Sequence, residues 1–231
     1  MTKLPGGPLA TRPLHFIFIA DCSGSMGGAK IQSLNHAIRE SIPHMREVAR
    51  GNPNAEVLVR SVRFSSGAQW HQPQFTNVEQ FEWVDLTVDG MTDMGRALTL
   101  VADALKSPPM PDRALPPVLV LVSDGAPTDD FDTGLKALMS QPWGKKAVRL
   151  AIAIGEDANL DVLQKFIGHP ELQPLQANSA EQLVKYIRWA STVVLKAASA
   201  PASQTHAAPA GVNVPLPPPP QLDPVDVNDV W

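Results

Sequence analysis

The stretch Leu14-His-Phe-Ile-Phe-Ile-Ala-Asp21-Cys-Ser23-Gly-Ser25 decides the fold that we expect. Its first seven residues are almost continuously apolar, which is typical of a central β-strand covered by helices on both faces. The run ends at Asp21, and Ser23 and Ser25 follow at alternate positions. Because ligands of open parallel sheets bind beyond the carboxyl ends of the strands, this stretch predicts a site as well as a strand.

Strand and helix patterns alternate outward from this stretch, from residue 14 to about residue 198. This alternation predicts an α/β fold with a mostly parallel sheet covered by helices. The expected strands are 14–20, 55–65, 118–122, 147–154 and 172–176, with short β-like pieces at 70–74 and 81–86 that form a hairpin edge and a connection. The expected helices are 31–48, 92–106, 130–141, 159–167 and a last one that opens at Ser179.

The composition divides the chain into three regions, an N-terminal extension (1–11), the α/β domain (12–198) and a Pro-rich linker with a tail (199–231). Pro215–Pro220 predicts a polyproline II rod. Asp223–Trp231 alternates acidic and apolar residues, and we expect a short docking motif for a partner or for the metal of a neighbouring copy. An acidic end that only aids solubility is the other interpretation.

Composition and charge exclude several functions. The 231 residues are 44% apolar, and a net charge of −4 provides no basic surface for nucleic acid. Cys22 is the only cysteine, so an intramolecular disulfide and a cysteine-based zinc site are excluded. The N-terminal residues lack the apolar core of a signal peptide, and the longest apolar runs, 16–20 and 116–122, are too short to cross a membrane. We therefore expect a cytoplasmic protein.

Two further segments bring oxygen ligands to the same edge of the predicted sheet. Asp124 follows the buried strand 118–122, and Thr92 opens a helix on a loop that can lie between Asp21 and Asp124. Together with Ser23 and Ser25 these residues form an all-oxygen set, which suits Mg²⁺ or Mn²⁺ better than Zn²⁺. Such a site can accept a carboxylate from another molecule as a further ligand.

Four of these five residues also have a purely structural interpretation. Asp21, Ser25 and Thr92 are all of types that cap helix N-termini, and Asp124 precedes a glycine in a common turn dipeptide. Cys22 is expected to be a small buried residue and not a nucleophile. The sequence around Thr92, taken by itself, leaves capping and metal ligation open.

Two enzymatic alternatives fit the sequence poorly. A Mg²⁺-dependent phosphatase of the haloacid-dehalogenase type needs a second carboxylate two residues after its nucleophile, and that position is Ser23. The Gly-rich segment before Lys30 lacks the glycine directly before the lysine that a P-loop requires. We therefore expect a non-enzymatic binding protein.

The pattern Asp21-x-Ser23-x-Ser25 with Thr92 and Asp124 resembles the metal-ion-dependent adhesion site of von Willebrand factor A domains. The resemblance covers about residues 12–198. It implies a doubly wound, mostly parallel sheet with one antiparallel edge strand and helices on both faces. It also implies that these five residues hold Mg²⁺ or Mn²⁺ and that a protein partner contributes an Asp or Glu carboxylate.

Within that family the chain looks most like bacterial TerY-like proteins of tellurite-resistance and stress operons, on the stretches Asp124–Asp129 and Ala151–Gly155. This likeness implies a scaffold whose partners are a Ser/Thr kinase and a protein phosphatase. An adaptor of an AAA+ ATPase is the alternative. Cys22 and Met91 depart from the usual family residues, and Asp93 adds a negative charge beside Thr92 that would raise affinity for the ion and weaken the hold on a partner's carboxylate.

Overall fold

The structure is a computed structural model that describes residues 11–199 and 216–221. The strands in these ranges are β1 (Arg12–Asp21), β2 (Ala55–Ser65), β3 (Gly67–Trp70), β4 (Thr76–Asn77), β5 (Val118–Ser123), β6 (Val148–Ile154) and β7 (Leu175–Ala177). The helices are α1 (Ala29–Arg50), α2 (Met94–Ala104), α3 (Phe131–Ser140), α4 (Pro142–Lys146), α5 (Leu160–Ile167), α6 (Ala180–Trp189) and α7 (Leu195–Ser199). A 3₁₀ turn (Gly24–Met26) precedes α1, and a π-helical segment (Ala190–Val194) joins α6 to α7.

The strands form one sheet of seven, in the order β3-β2-β1-β5-β6-β7, with β4 also paired to β2. β1, β2, β5, β6 and β7 are parallel. β3 and β4 pair antiparallel with different parts of β2 and together make the antiparallel edge. The predicted doubly wound, mostly parallel sheet with helices around it is confirmed.

The central strands are apolar along almost their whole length because they are buried on both faces of the sheet. The last eight residues of β1 and all six of β5 are buried, because helices cover both faces of the sheet. Phe16 and Phe18 contribute to a core cluster under α1 and α6, and Ile17 and Ile19 to a second cluster under α2, α3 and α5. The alternation of side chains along one strand therefore supplies both halves of the core.

The order of the strands places the ends of β1 and β5 at the point where the sheet reverses direction. From β1 the chain moves to β2 and β3 on one side, and it then crosses to β5, β6 and β7 on the other side. Asp21 is the last residue of β1, and Asp124 directly follows β5. In this fold class a ligand site forms in the crevice at such a reversal.

Several local expectations differ from the structure. The segment 81–86 contains no strand, because Phe81 and Leu86 are buried without pairing to the sheet. The side chain of Asn35 instead binds the backbone N–H and C=O of Leu86. The helix expected at 92–106 is the shorter α2, and α4 was not predicted.

The N-terminal extension up to residue 10 and the expected docking motif at Asp223–Trp231 lie outside the described residues. Of the Pro-rich stretch the structure describes 216–221, where Leu216 packs against the core cluster under α1 and α6. Among the described helices, none combines the length and the apolar character needed to cross a membrane.

Candidate metal centre

Asp21 lies at the base of the predicted site and is completely buried. Its Oδ1 accepts a hydrogen bond from the Ser23 N–H (2.8 Å), and its Oδ2 accepts one from the Ser123 hydroxyl (2.5 Å). Burial raises the pKa of the Asp21 carboxyl, the hydrogen bonds from Ser123 and Ser23 oppose this, and the neighbouring Asp124 raises it further. A bound cation would favour the charged form of this carboxylate.

Ser23, Ser25 and Asp124 continue outward from Asp21 as a chain of contacts. The hydroxyls of Ser23 and Ser25 are 3.0 Å apart, and the Ser25 hydroxyl donates to Asp124 Oδ1 at 2.8 Å. The Asp124 side chain is buried, and Ser25 is exposed. The site therefore runs from the core to the surface, where another molecule can reach it.

Thr92 reaches the same place from the loop before α2. Its N–H donates to the Thr128 hydroxyl (3.0 Å), and its carbonyl accepts from the Thr128 N–H (2.9 Å). A Cβ built on Gly125 would lie 4.0 Å from both the Thr92 and the Ser25 hydroxyl oxygens. Both hydroxyls therefore border the space beside Gly125, and the structure brings all five predicted residues together.

The helix-capping alternatives are not supported by the structure. Gly28 precedes α1, and Ser25 lies within the 3₁₀ turn. Asp93 occupies the N-cap position of α2, and no side chain at that position caps the helix. The structure therefore gives Asp21, Ser25 and Thr92 no helix-capping role.

The Thr92 loop is held by Gly90, which adopts a positive φ of 65°. Its carbonyl accepts from the Gly24 N–H (3.1 Å), and a Cβ at this position would collide with the Ser66 hydroxyl. Only glycine combines this backbone conformation with so close an approach. Gly90 thereby joins the Thr92 loop to the turn that carries Ser23 and Ser25.

Four residues of the site were not assigned a role from the sequence. Lys30 Nζ lies 2.6 Å from Asp124 Oδ2, and Ser123 binds Asp21. Thr128 holds Thr92, and the Asp129 carboxylate accepts from the first two free N–H groups of α2, Gly95 and Arg96, at 2.8 Å each. Lys30 lies in the Gly-rich segment and the other three lie in or beside the Asp124–Asp129 segment, but their partners are distant in sequence.

Asp93, whose charge is expected to affect the ion, has contacts of its own within the loop. Its carboxylate accepts from the Gly67 N–H (2.8 Å) and the Thr128 hydroxyl (3.3 Å) and lies 3.5 Å from the Arg96 guanidinium. These groups compensate its charge locally. Asp93 thereby orders the loop before α2.

The donor set fits a hard divalent cation. It contains two carboxylates and three hydroxyls, and the described part of the chain holds no cluster of three or more His, Cys, Asp or Glu that would suit another metal. When both are ionised, Asp21 and Asp124 supply two negative charges, and the Lys30 ammonium lies beside Asp124. Cys22, directly after Asp21, is completely buried, and burial raises the pKa of its thiol to about 12, so it is no nucleophile.

Sequence comparison finds a matching family. The family model for the von Willebrand factor type A domain matches residues 16–126, which include all five residues of the site. The chain has the fold of a von Willebrand factor type A (VWA) domain. No curated protein matches it by sequence.

Solved VWA structures resemble the chain in fold. The von Willebrand factor type A protein from Catenulispora acidiphila is 19% identical with a TM-score of 0.61, over 81% of this chain and 43% of that one. The ArnB paralog VWA2 from Sulfolobus acidocaldarius is 20% identical with a TM-score of 0.56, over 76% of this chain and 44% of that one.

A third similar structure is proximal thread matrix protein 1 from the mussel byssus, in a form whose metal-ion-dependent adhesion site (MIDAS) motif is occupied by zinc. It is 18% identical with a TM-score of 0.62, over 79% of this chain and 48% of that one. The chain thus spans less than half the length of each of these three proteins.

Proposed function

We propose that this chain is a non-enzymatic protein-interaction module that binds one divalent cation and uses it to hold a carboxylate of a protein partner. Asp21, Ser23, Ser25, Thr92 and Asp124 would hold the cation. The observation that carries this proposal is the chain of contacts from Asp21 through the Ser23 N–H and the two serine hydroxyls to Asp124. A cation would supply Lewis acidity toward an incoming oxygen ligand, which is how it would recognise an acidic side chain.

The choice of ion rests on the ligand chemistry. Oxygen-only sites with two carboxylates favour Mg²⁺ or Mn²⁺. The zinc-occupied MIDAS motif of the mussel protein supports a divalent cation in a VWA fold, although that protein is too distant to fix the ion here. For this chain we propose Mg²⁺ or Mn²⁺.

The surface around the site supports a protein partner. Met91, directly before Thr92, is 55% exposed and so presents an apolar side chain beside the site. Ser66, whose hydroxyl accepts from the Met91 N–H, borders a polar cavity of about 300 Å³. Its other lining residues are Arg63, Ser65, Gly67, Ala68, Gln69 and Asp89. A partner that places a carboxylate at the cation would also bury Met91, and this apolar contact would strengthen the hold.

The biological setting is proposed from resemblance alone. The TerY-like stretches suggest a scaffold for a Ser/Thr kinase and a protein phosphatase in a stress or tellurite-resistance system. The tail at Asp223–Trp231 is proposed as a second docking point. An adaptor for an AAA+ ATPase would use the same cation-dependent surface, so partner identity distinguishes the two settings.

Cation-dependent capture of partners tests the proposal. The full chain serves as bait in an extract of its source cells, with Mg²⁺ or with EDTA, and mass spectrometry identifies what is retained. We expect specific partners with Mg²⁺ only, and none with Asp21→Asn, which removes one charged ligand and keeps the side-chain shape. Asp103→Asn, a change at an exposed aspartate on α2, is the matched control and should retain them. Equal capture in EDTA would contradict the proposal.

A further inference from the structure

Lys30 provides a positive charge inside the site. Its Nζ lies 2.6 Å from Asp124 Oδ2, and the Asp124 side chain is only 1% exposed while that of Lys30 is 20% exposed. Asp124 Oδ1 is bound by Ser25, so both carboxylate oxygens have donors. An ion pair this buried interacts more strongly than the usual surface pair, because solvent screens it less.

The position of Lys30 in its helix also indicates that its main interaction is the ion pair with Asp124. It is the second residue of α1, where the helix dipole disfavours a positive charge, and α1 has no acidic residue in its first turn. Nothing in the helix itself therefore favours a lysine there. The partner that favours it is Asp124, which lies 94 residues away in sequence.

The positive charge of Lys30 would weaken the binding of a divalent cation at Asp124. A cation bound by Asp124 must displace the ammonium group from Oδ2 or accept a like charge close to it. Both cost binding free energy, since two positive charges repel at short range. Lys30 also offsets the negative charge of Asp124 within the site.

We propose that Lys30 is a built-in competitor of the divalent cation for Asp124. This inference rests on the proposed cation-binding function and deepens it. Lys30 stabilises the site before a cation binds and keeps the affinity for the cation low. Low intrinsic affinity makes occupancy depend on the carboxylate that the partner adds, so that cation and partner bind together. The lysine of the Gly-rich segment, which fits no P-loop, thus has a role.

Manganese titration of the full chain tests this inference. Isothermal calorimetry and the electron paramagnetic resonance signal of free Mn²⁺ would measure the affinity of the unmodified chain, Lys30→Met and Lys30→Gln. Lys106→Met, at an exposed lysine paired with Asp103, is the matched control. We expect affinity to rise on the order of tenfold in both Lys30 variants and to stay unchanged in the control.

Thermal unfolding gives a second measure that does not depend on the titration. In EDTA the Lys30→Met variant should unfold at a lower temperature than the unmodified chain, because Asp124 has lost its compensating charge. Mn²⁺ should then raise its unfolding temperature by more than that of the unmodified chain. If Lys30→Met does not fold, Lys30→Gln, whose amide can still donate to Asp124, provides both measurements.

The outcomes separate the two proposals. Uptake by all variants with equal or weaker affinity in the Lys30 variants would overturn the competition and leave the cation-binding function standing. No uptake by any variant would overturn the proposed function, and the competition with it. Uptake by the Lys30 variants alone would support the competition and contradict cation binding by the unmodified chain.

Discussion

His15 and Asp21, near opposite ends of β1, show how burial changes single residues. His15 is 6% exposed, and neither ring nitrogen has a hydrogen-bond partner among the described residues. The ring packs edge-on against Phe75, with centroids 4.2 Å apart, and burial lowers the pKa of His15 to about 4. Asp21 is as deeply buried, but it has two hydrogen-bond donors and a site that can hold a cation.

His15 predicts a loss of stability in mild acid. Its folded-state pKa of about 4 lies below the ordinary 6.5, so the unfolded chain binds the proton first. The contribution of neutral His15 to the free energy of unfolding is complete above pH 6.5 and is lost as the pH falls toward 4. Between pH 7.5 and pH 5 we expect this residue to account for about 2 kcal/mol of lost unfolding free energy.

Urea unfolding at the two pH values measures this loss. His15→Leu should show a fall smaller by about this amount, and His36→Gln, at an exposed position, should behave like the unmodified chain. An undiminished fall in His15→Leu would show that the proton is taken up elsewhere.

The sequence predicted some residues of the site and missed others for a physical reason. Asp21, Ser23 and Ser25 are close in sequence and follow a recognisable strand, so their spacing alone indicated a ligand set. Lys30 and Ser123 act on partners 94 and 102 residues away. No local pattern encodes such a contact, because strand order brings the partners together.

At the scale of elements, α2 and α3 pack at very close range through two glycines. A Cβ on Gly134 would collide with the Gly95 carbonyl, and one on Gly95 would collide with the Asp130 carbonyl. The contact matters for the site, because the segment before α3 carries Thr128 and Asp129, which fix Thr92 and the start of α2. Packing of these two helices therefore positions a proposed ligand.

Gly134→Ala tests that packing, because helix propensity and close packing predict changes in stability of opposite sign. Alanine favours a helix interior over glycine by about 1 kcal/mol, so helix propensity predicts stabilisation. We expect the opposite, a loss of about 1–3 kcal/mol, because the methyl group meets backbone atoms that cannot move aside. Chemical denaturation measures the change.

Gly51→Ala is the control, since a Cβ there makes only ordinary contacts at 3.5 Å. Its stability should change little. A Gly134→Ala protein as stable as the unmodified chain, or more so, would show that the helices are free to separate.

Long apolar runs made most elements predictable, and weaker patterns did not. β2 coincides with the expected strand 55–65, and β5 extends the expected one by a single residue. The apolar residues of 81–86 suggested a short β-like piece, but they form no strand. Burial against the core and burial in a sheet leave the same local pattern. The hydrogen bond from the Leu86 N–H to the Asn35 side chain could not be inferred from the sequence.

At the scale of the whole molecule, topology creates the site. The turn after β1, the loop before α2 and the loop after β5 meet because the sheet reverses between β1 and β5. Asp21, Thr92 and Asp124 come from these three segments, and each is buried with at least one polar contact. The fold class was predictable from the alternation of strands and helices. The balance of charge at the site was not, because it depends on contacts between segments that are distant in sequence.

Calorimetric titration of the full chain with Mg²⁺ and with Mn²⁺ tests the central claim most directly. We expect one cation per chain in the unmodified protein and none in a folded Asp21→Ala variant, because the buried carboxylate supplies the innermost charge. Ser23→Ala and Thr92→Ala should bind more weakly but measurably, since each loses a neutral ligand. Absence of uptake by the unmodified chain, or undiminished uptake by folded Asp21→Ala, would contradict the claim that these residues form a cation site.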